Sequence, residues 1–366
     1  FQDSVQLSVP AQVGTVRNSN WTMTAKEMRD GLQNSRKADA ARQKLSSDVN
    51  IALMDTAANE GTVVVARTGA ATGYDDVAVA DRTFNERGIQ MDSRIMALSS
   101  GDYNNMASNL AARQTMNQMP TEAYRRSYVG EVAGFETHKL DYANSLTAAA
   151  GVTVTLDAAT IGDRHYTPVS TQASGNGFNQ TNVDNRYQTI TIDVTSGTVK
   201  AGDAFTIAGV NSVHQIAGDT QAKRDTGSPM TFRIHEVVTG AGGSGTVKIS
   251  PPIITTDDTT TAGDVQYQNC SATPANGAAI TFLNSTLAPV NPFWRKGAIE
   301  LLPANLVVEE GSGMAVMRGT TDQGVSLLMT RQSDINDLGT KYRFDVFFGT
   351  VMLQPQMAGI MMFNQT

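Results

Sequence analysis

The sequence predicts an α+β protein in which a discrete all-β segment interrupts a chain built on one very long helix. Three observations carry that prediction. Apolar residues at helical spacing run from about Ala25 to Glu60. From Thr147 to Asn284 the chain is rich in Thr, Gly and Asp and broken into short alternating runs. Strand patterns then return between Phe293 and Phe363.

In chain order, Phe1 to Thr22 alternates weakly through Val5, Leu7 and Val9, then Val13 and Val16, and contains Trp21, a strand pattern. The helix follows. Thr24 and Glu27 have capping-box spacing and Gly61 supplies the stop. Met28, Leu32, Ala38, Ala41, Leu45, Val49, Ala52, Leu53 and Thr56 form one apolar stripe. Lys26 with Asp30, and Lys44 with Asp48, lie four apart on the polar side. Such a helix runs about 50 Å, longer than a compact domain needs, so it lies along a subunit rather than inside it. The stripe lacks the sustained heptads of a coiled-coil strut.

Val63-Val64-Val65 reads as a buried strand and is followed by a Gly- and Asp-containing loop. A second helix is expected from about Asp102 to Gln118, with Tyr103, Met106, Leu110 and Ala111 on one face and Pro120 ending it. The Thr/Gly/Asp-rich segment shows no helix pattern. Its expected strands are Val152–Leu156, Tyr187–Val194, Ala204–Ala208, Met230–Val238 and Thr246–Ile249, with Phe205 and Ile207 inward. Near the end, Tyr342, Phe344, Val346 and Phe348 share one face of Lys341–Gly349.

At 366 residues the chain is long enough for two or three domains with sizeable cores. Charged residues are 17% and hydrophobics 40%, which suits a strand-rich protein that covers neutral surface against neighbours. Cys270 is the single cysteine, so there is no intramolecular disulfide and no cysteine cluster for zinc, as expected of assembly in a reducing cytoplasm. No apolar run approaches about 20 residues, so no membrane span is expected. A net charge of −7 argues against a sequence-independent DNA clamp, which would concentrate Lys and Arg on phosphates.

No catalytic, cofactor-binding or metal-ligating residue is assigned. His138, His165, His214 and His235 are too scattered for a helical metal site and read as surface or strand residues. Gly240-Ala241-Gly242-Gly243-Ser244-Gly245 lacks the Lys-Ser/Thr of a phosphate loop and reads as a hairpin turn. Asp257-Asp258 and Glu309-Glu310 are adjacent carboxylates that ordinarily face solvent rather than chelate a cation. No Gly-x-Ser-x-Gly elbow is present. Met352, Met357, Met361 and Met362 read as adaptable packing.

Four places carry a resemblance, in order along the chain. Val183-Asp184-Asn185-Arg186-Tyr187 leads into a Thr-rich strand, Lys200-Ala201-Gly202-Asp203 and a closing Ala208-Gly209-Val210. Pro120-Thr121-Glu122-Ala123-Tyr124-Arg125 precedes Val132-Ala133-Gly134-Phe135, and Asn291-Pro292-Phe293-Trp294 precedes Ala298-Ile299. Gly324, Asp334-Ile335, Gly349 and Pro355 complete the set. Together they resemble the P-twenty-two-like major capsid protein of short-tailed double-stranded DNA bacteriophages.

The resemblance implies the tailed-phage and herpesvirus capsid fold of the Hong Kong phage type, with an inserted β-barrel. It assigns 1–22 to the returning part of an extended loop, 23–62 to the spine helix and peripheral domain and 63–146 to the axial domain. The inserted barrel is 147–284, and 285–366 are peripheral and axial strands. Family members carry an N-terminal arm and the outgoing half of the loop before the position of Phe1, so a longer chain is expected. Implied partners are further copies, in pentamers and hexamers of an icosahedral shell, together with a scaffolding protein and a portal. The shell encloses DNA without sequence-specific binding, contacts no membrane and assembles in the host cytoplasm. The loop from Tyr166 to Asn182 is expected to reach a neighbouring capsomer. Family loops carry acidic residues there, whereas this one has Asn176, Phe178 and Asn179, so the expected contact is made by hydrogen bonds from the two Asn residues and burial of Phe178. The alternative reading is a β-rich surface adhesin or carbohydrate-binding protein, which should lack the long helix. A hydrolase is contradicted by the missing nucleophile and base.

Overall fold

The computed structural model describes residues 7–112, 118–151, 153–158, 160–168, 183–218, 223–240, 243–256, 262–309, 313–321, 323–336 and 338–366. The chain forms two compact units, one of Ala11–Thr56 with Ile299–Val351, the other of Phe1–Pro10, Ala57–Ala298 and Met352–Thr366.

In the first unit, the strand Gly339–Met352 is the spine of a five-stranded sheet. Thr15–Thr24 pairs antiparallel along it, from Thr15 opposite Phe348 to Thr24 opposite Gly339. On the other side Ser326–Asp334 pairs with it, and Ala315–Thr320 pairs with Ser326–Asp334 at the edge. Alternation does what the sequence requires: Tyr342, Phe344, Val346 and Phe348 are all buried. Helix α1, Gly31–Glu60, lays Ala41, Leu45 and Val49 on Val325, Leu327, Phe344, Val346 and Phe348. Trp21 stacks on Tyr342 with ring centroids 5.3 Å apart and meets Phe344 edge-on at 5.2 Å.

The helix starts later than its spacing predicts. Thr24 and Glu27 do form the reciprocal capping box, the Thr24 amide donating to Glu27 Oε2 and the Glu27 amide to Thr24 Oγ1. These bonds lead into the short 3-10 turn Glu27–Arg29 rather than capping α1. Asp30 then takes an extended conformation, ψ 93°, and its carboxylate accepts from the Leu32 amide, starting α1 afresh. Met28 and Leu32 consequently fall outside the packed stripe and are exposed.

The second unit holds a six-stranded mixed sheet and a closed six-stranded barrel. The sheet runs Val63–Ala66, Ala358–Met362, Asn291–Arg295, Arg94–Ser99, Phe135–Leu140, Glu131–Val132. The first pair is parallel and the next two antiparallel. Its core gathers Phe84, Phe135 and Phe293, with centroids 5.2–5.9 Å apart, and takes in Met361, so Met361 packs within a core.

Three helices flank this sheet in sequence. Helix α2, Tyr74–Glu86, occupies the stretch expected to be a loop. Its signal was Val77, Ala80 and Phe84 at helical spacing, all buried, obscured by Asp75 and Asp76. Those aspartates belong to a helix N-terminus: the Asp76 carboxylate accepts from the Thr72 amide and hydroxyl at 2.7 and 2.8 Å and from Arg67 Nε at 2.8 Å. Helix α3 is described over Ser100–Ala112, so it starts two residues before its expected beginning. Pro120 does not end it but lies in the first turn of a further helix α4, Gln118–Arg126, where a missing N–H costs nothing.

The barrel closes in the order Lys223–Thr239, Gly243–Ser250, Gln188–Ser196, Thr153–Leu156, Ala279–Phe282, Ala204–Gly218. Ile190, Ile192, Phe205, Ile207, Phe232, Ile234, Val247 and Ile249 fill it. Two strands run well beyond their expected ends, and Ala279–Phe282 is an additional one. The short helix α5, Ala262–Tyr267, corrects the expectation that this segment is free of helix.

Candidate assembly surfaces

The expected loop contact cannot be placed: Asn176, Phe178 and Asn179 lie outside the described residues. The stem of that loop can. Tyr166 donates its amide to the Ile253 carbonyl and its hydroxyl to Asn185 Oδ1 at 2.9 Å. At the other end, Asp184 and Arg186 form a two-pronged pair, Nε to Oδ1 at 2.9 Å and Nη2 to Oδ2 at 2.7 Å. Burial alone would raise the Asp184 carboxyl, but hydrogen bonds from Arg186 hold it below its ordinary value. Arg186 and Lys248 also lie over the Tyr187 ring, at 5.2 and 4.6 Å. Burial pushes the Tyr187 hydroxyl up to about 12. The family-like motif is thus a rigid charged corner at the foot of the loop.

The histidines are not brought together. His138 is an exposed side chain on the strand Phe135–Leu140, 3.3 Å from Glu136. His214 lies against Gly88 and His235 against Tyr187; burial, then Lys248, pushes the His235 imidazole down. His165 corrects its reading as a surface or strand residue. It is buried in an irregular segment, 3.1 Å from Thr255 Oγ1 and 3.6 Å from Asp264 Oδ1. Burial also pushes the Cys270 thiol up to about 12, which removes the thiolate that nucleophilic chemistry needs. Among the described residues no three His, Cys, Asp or Glu side chains converge on a metal position. Asp257, Asp258 and Glu310 lie outside the described residues. The glycine run joins two barrel strands rather than preceding a helix, and a Cβ on Gly245 would overlap the carbonyls of Thr239 and Gly240, which explains glycine there by turn geometry.

What the surface does offer is apolar edge. The strand Ala315–Thr320 is exposed along its whole length, and it ends its sheet, with no strand paired to its outer edge among the described residues. Val316 and Met317 point to opposite faces, yet both are exposed, Met317 at 65%. Val307, Ile335 and Leu338 add exposed apolar side chains in the same unit. An edge carrying apolar groups on both sides is a liability in a lone monomer and an interface in an assembly. This strand lies in the stretch from Phe293 to Phe363 where strand patterns return, but Gly319 and the lack of clean alternation hide its bounds in the sequence. The other unit exposes Tyr124, Tyr128, Ile216 and Leu287.

A sequence model of the family described as "P22 coat protein - gene protein 5" matches residues 1–364. Among solved structures, the chain is similar to the CUS-3 coat protein I-domain, at 37% identity over 38% of this chain and 98% of that one, with a TM-score of 0.24. It is also similar to a chain of Mycobacterium phage Che8, at 7% identity over 96% and 71%, TM-score 0.40. A third is in the capsid of Cyanophage P-SCSP1u, at 11% identity over 99% and 79%, TM-score 0.38. A surface adhesin should lack the 30-residue helix α1, and the family match spans nearly the whole chain. This chain belongs to the P22 coat protein family and is a phage major capsid protein.

Proposed function

We propose that copies of this chain close, as pentamers and hexamers, into an icosahedral shell around double-stranded DNA. A scaffolding protein and a portal take part, and assembly occurs in the host cytoplasm. The observation that carries the reading, beyond family membership, is the exposed edge strand Ala315–Thr320 with apolar side chains on both faces. The segment roles follow the resemblance: 1–22 as returning loop, 23–62 as spine helix and peripheral domain, 63–146 as axial domain, 147–284 as inserted barrel and 285–366 as peripheral and axial strands. Asn176, Phe178 and Asn179 are assigned to the contact with a neighbouring capsomer. The chain is a structural subunit with no catalytic role.

The test is assembly of the full-length protein with its cognate scaffolding protein, followed by sedimentation and negative-stain microscopy. Closed shells or polyheads are expected. Protein that stays monomeric at high concentration in the presence of that scaffold would overturn the reading.

A further inference from the structure

Helix α1 ends without a cation of its own: its last turn contains no basic residue. The carbonyls of a helix C-terminus need donors, and the macrodipole favours positive charge beside them. Here the donors come from elsewhere in the chain. Along the barrel strand Lys223–Thr239, Met230, Phe232 and Ile234 point into the barrel core, so Thr231 and Arg233 point outward. Outward residues of a small barrel are ordinarily wet, yet both are buried, Arg233 at 3% exposure.

Their partners explain the burial. Arg233 Nη1 donates to the Ala58 carbonyl and, at 3.4 Å, to that of Gly61. Its Nη2 donates to the Gly202 carbonyl at 3.1 Å. Thr231 Oγ1 donates to the Thr62 carbonyl at 2.8 Å and accepts from the Val64 amide at 3.4 Å. A second arginine closes on the same turn: Arg186 Nη1 lies 3.5 Å from Glu60 Oε2 and donates to the Met352 carbonyl at 2.7 Å. Both arginines belong to the barrel segment, and all the groups they hold lie in one compact unit.

We propose that the barrel is the C-terminal cap of α1: Arg233, seconded by Arg186, holds the last turn, so that seating of the barrel and formation of that turn are a single event. Burial pushes the Arg233 guanidinium down only to about 10, so it remains charged at neutral pH. A buried cation that faces carbonyls rather than a bonded carboxylate is costly to bury. Its value lies in geometry, because the seated barrel brings its guanidinium to the Ala58 and Gly61 carbonyls. Arg233 and Arg186 are positioning residues for the assembly-competent subunit.

Hydrogen exchange read by mass spectrometry on the unassembled full-length chain tests this independently of shell formation. In Arg233→Met, amides of residues 57–62 should exchange about ten- to a hundredfold faster, the factor for losing one charge-assisted hydrogen bond. The barrel strands Gln188–Ser196 and Gly243–Ser250 should keep their protection. Arg233→Lys, which keeps the charge, should restore part of it, and Arg164→Met, which removes a bond to the Pro274 carbonyl within the barrel segment, should leave residues 57–62 unchanged. Arg186→Met supplies the same readout, at smaller amplitude, should Arg233→Met fail to fold. Unchanged exchange of the last turn in both methionine variants would overturn the proposal. So would a loss of protection as large in the barrel strands as at 57–62, since Arg233 would then merely hold the barrel together.

Discussion

Replacing Phe205 with alanine is the sharpest test of the barrel register. Phe205 stands opposite Phe232 on one neighbouring strand and opposite Phe282 on the other. Its ring centroid is 5.7 Å from that of Phe232 and 6.3 Å from that of Phe282, and its side chain is 1% exposed. Removal therefore takes away the transfer free energy of a buried ring and leaves a void between two other aromatics, about 3–5 kcal/mol in all. A one-residue slip would turn Phe205 outward and Thr206 inward, and the cost would fall to the roughly 0.5 kcal/mol of a surface change. Urea unfolding of the full-length chain, followed by tyrosine fluorescence and circular dichroism, reads the difference as a shift in midpoint at unchanged slope. The same substitution at Thr206, which is half-buried, is the internal control and should cost far less. Equal costs at the two positions, or none at Phe205, would refute the register.

Four further outcomes are expected. Glu60→Gln should raise the melting temperature at pH 7: burial, opposed by Arg186, raises the Glu60 carboxyl above its ordinary 4.5, so the folded state bears a cost whenever that group is ionised. The cost is relieved as pH falls through the folded value, and the advantage of glutamine should vanish toward pH 4.5; a lower melting temperature at pH 7 would show that the pairing outweighs burial. Cys270 in the native chain should resist thiol reagents and react only as fast as the protein unfolds, which a stopped-flow trace against a denatured sample would decide. Met317→Lys should leave the monomer's melting temperature within about 0.5 kcal/mol equivalent yet depress shell yield, whereas normal yield would remove this edge from the interface. Phe178→Ala should weaken shells that raised salt leaves intact, because screening acts on exposed charge and not on buried hydrocarbon; the opposite pair of results would restore a charged contact.

The parts of the fold legible in the sequence are those where one period dominates. Tyr342, Phe344, Val346 and Phe348 alternate without interruption and are buried as read, and Leu45 and Val49 hold the centre of a helix long enough for its stripe to be unmistakable. Legibility fails where local chemistry serves two purposes. Asp75 and Asp76 are loop formers in isolation, yet here they open α2, because the Asp76 carboxylate caps amides and pairs with Arg67. Pro120 is a helix stop in the interior and a helix starter in the first turn, and only the position of the helix decides between them. The sixth barrel strand, Ala279–Phe282, is four residues long and gains its meaning from Val154, Thr155 and the residues from Phe205 to Ile207 across from it.

The candidate surfaces were harder to read for a reason particular to shells. Sequence patterns separate apolar from polar residues by what one chain can bury, but a capsid subunit also has residues whose burial requires a second copy. Val316 and Met317 carry the composition of core residues and the exposure of surface ones. Arg233 presents the reverse, a charged residue on the outer face of a barrel that is nonetheless dry, because the last turn of α1 covers it. Each mismatch between residue type and exposure marks a place where the chain answers to something beyond the local element. For Arg233 that something is visible within the chain. For Val316 and Met317 it is not, and the apolar area left open there is what a neighbouring subunit would cover.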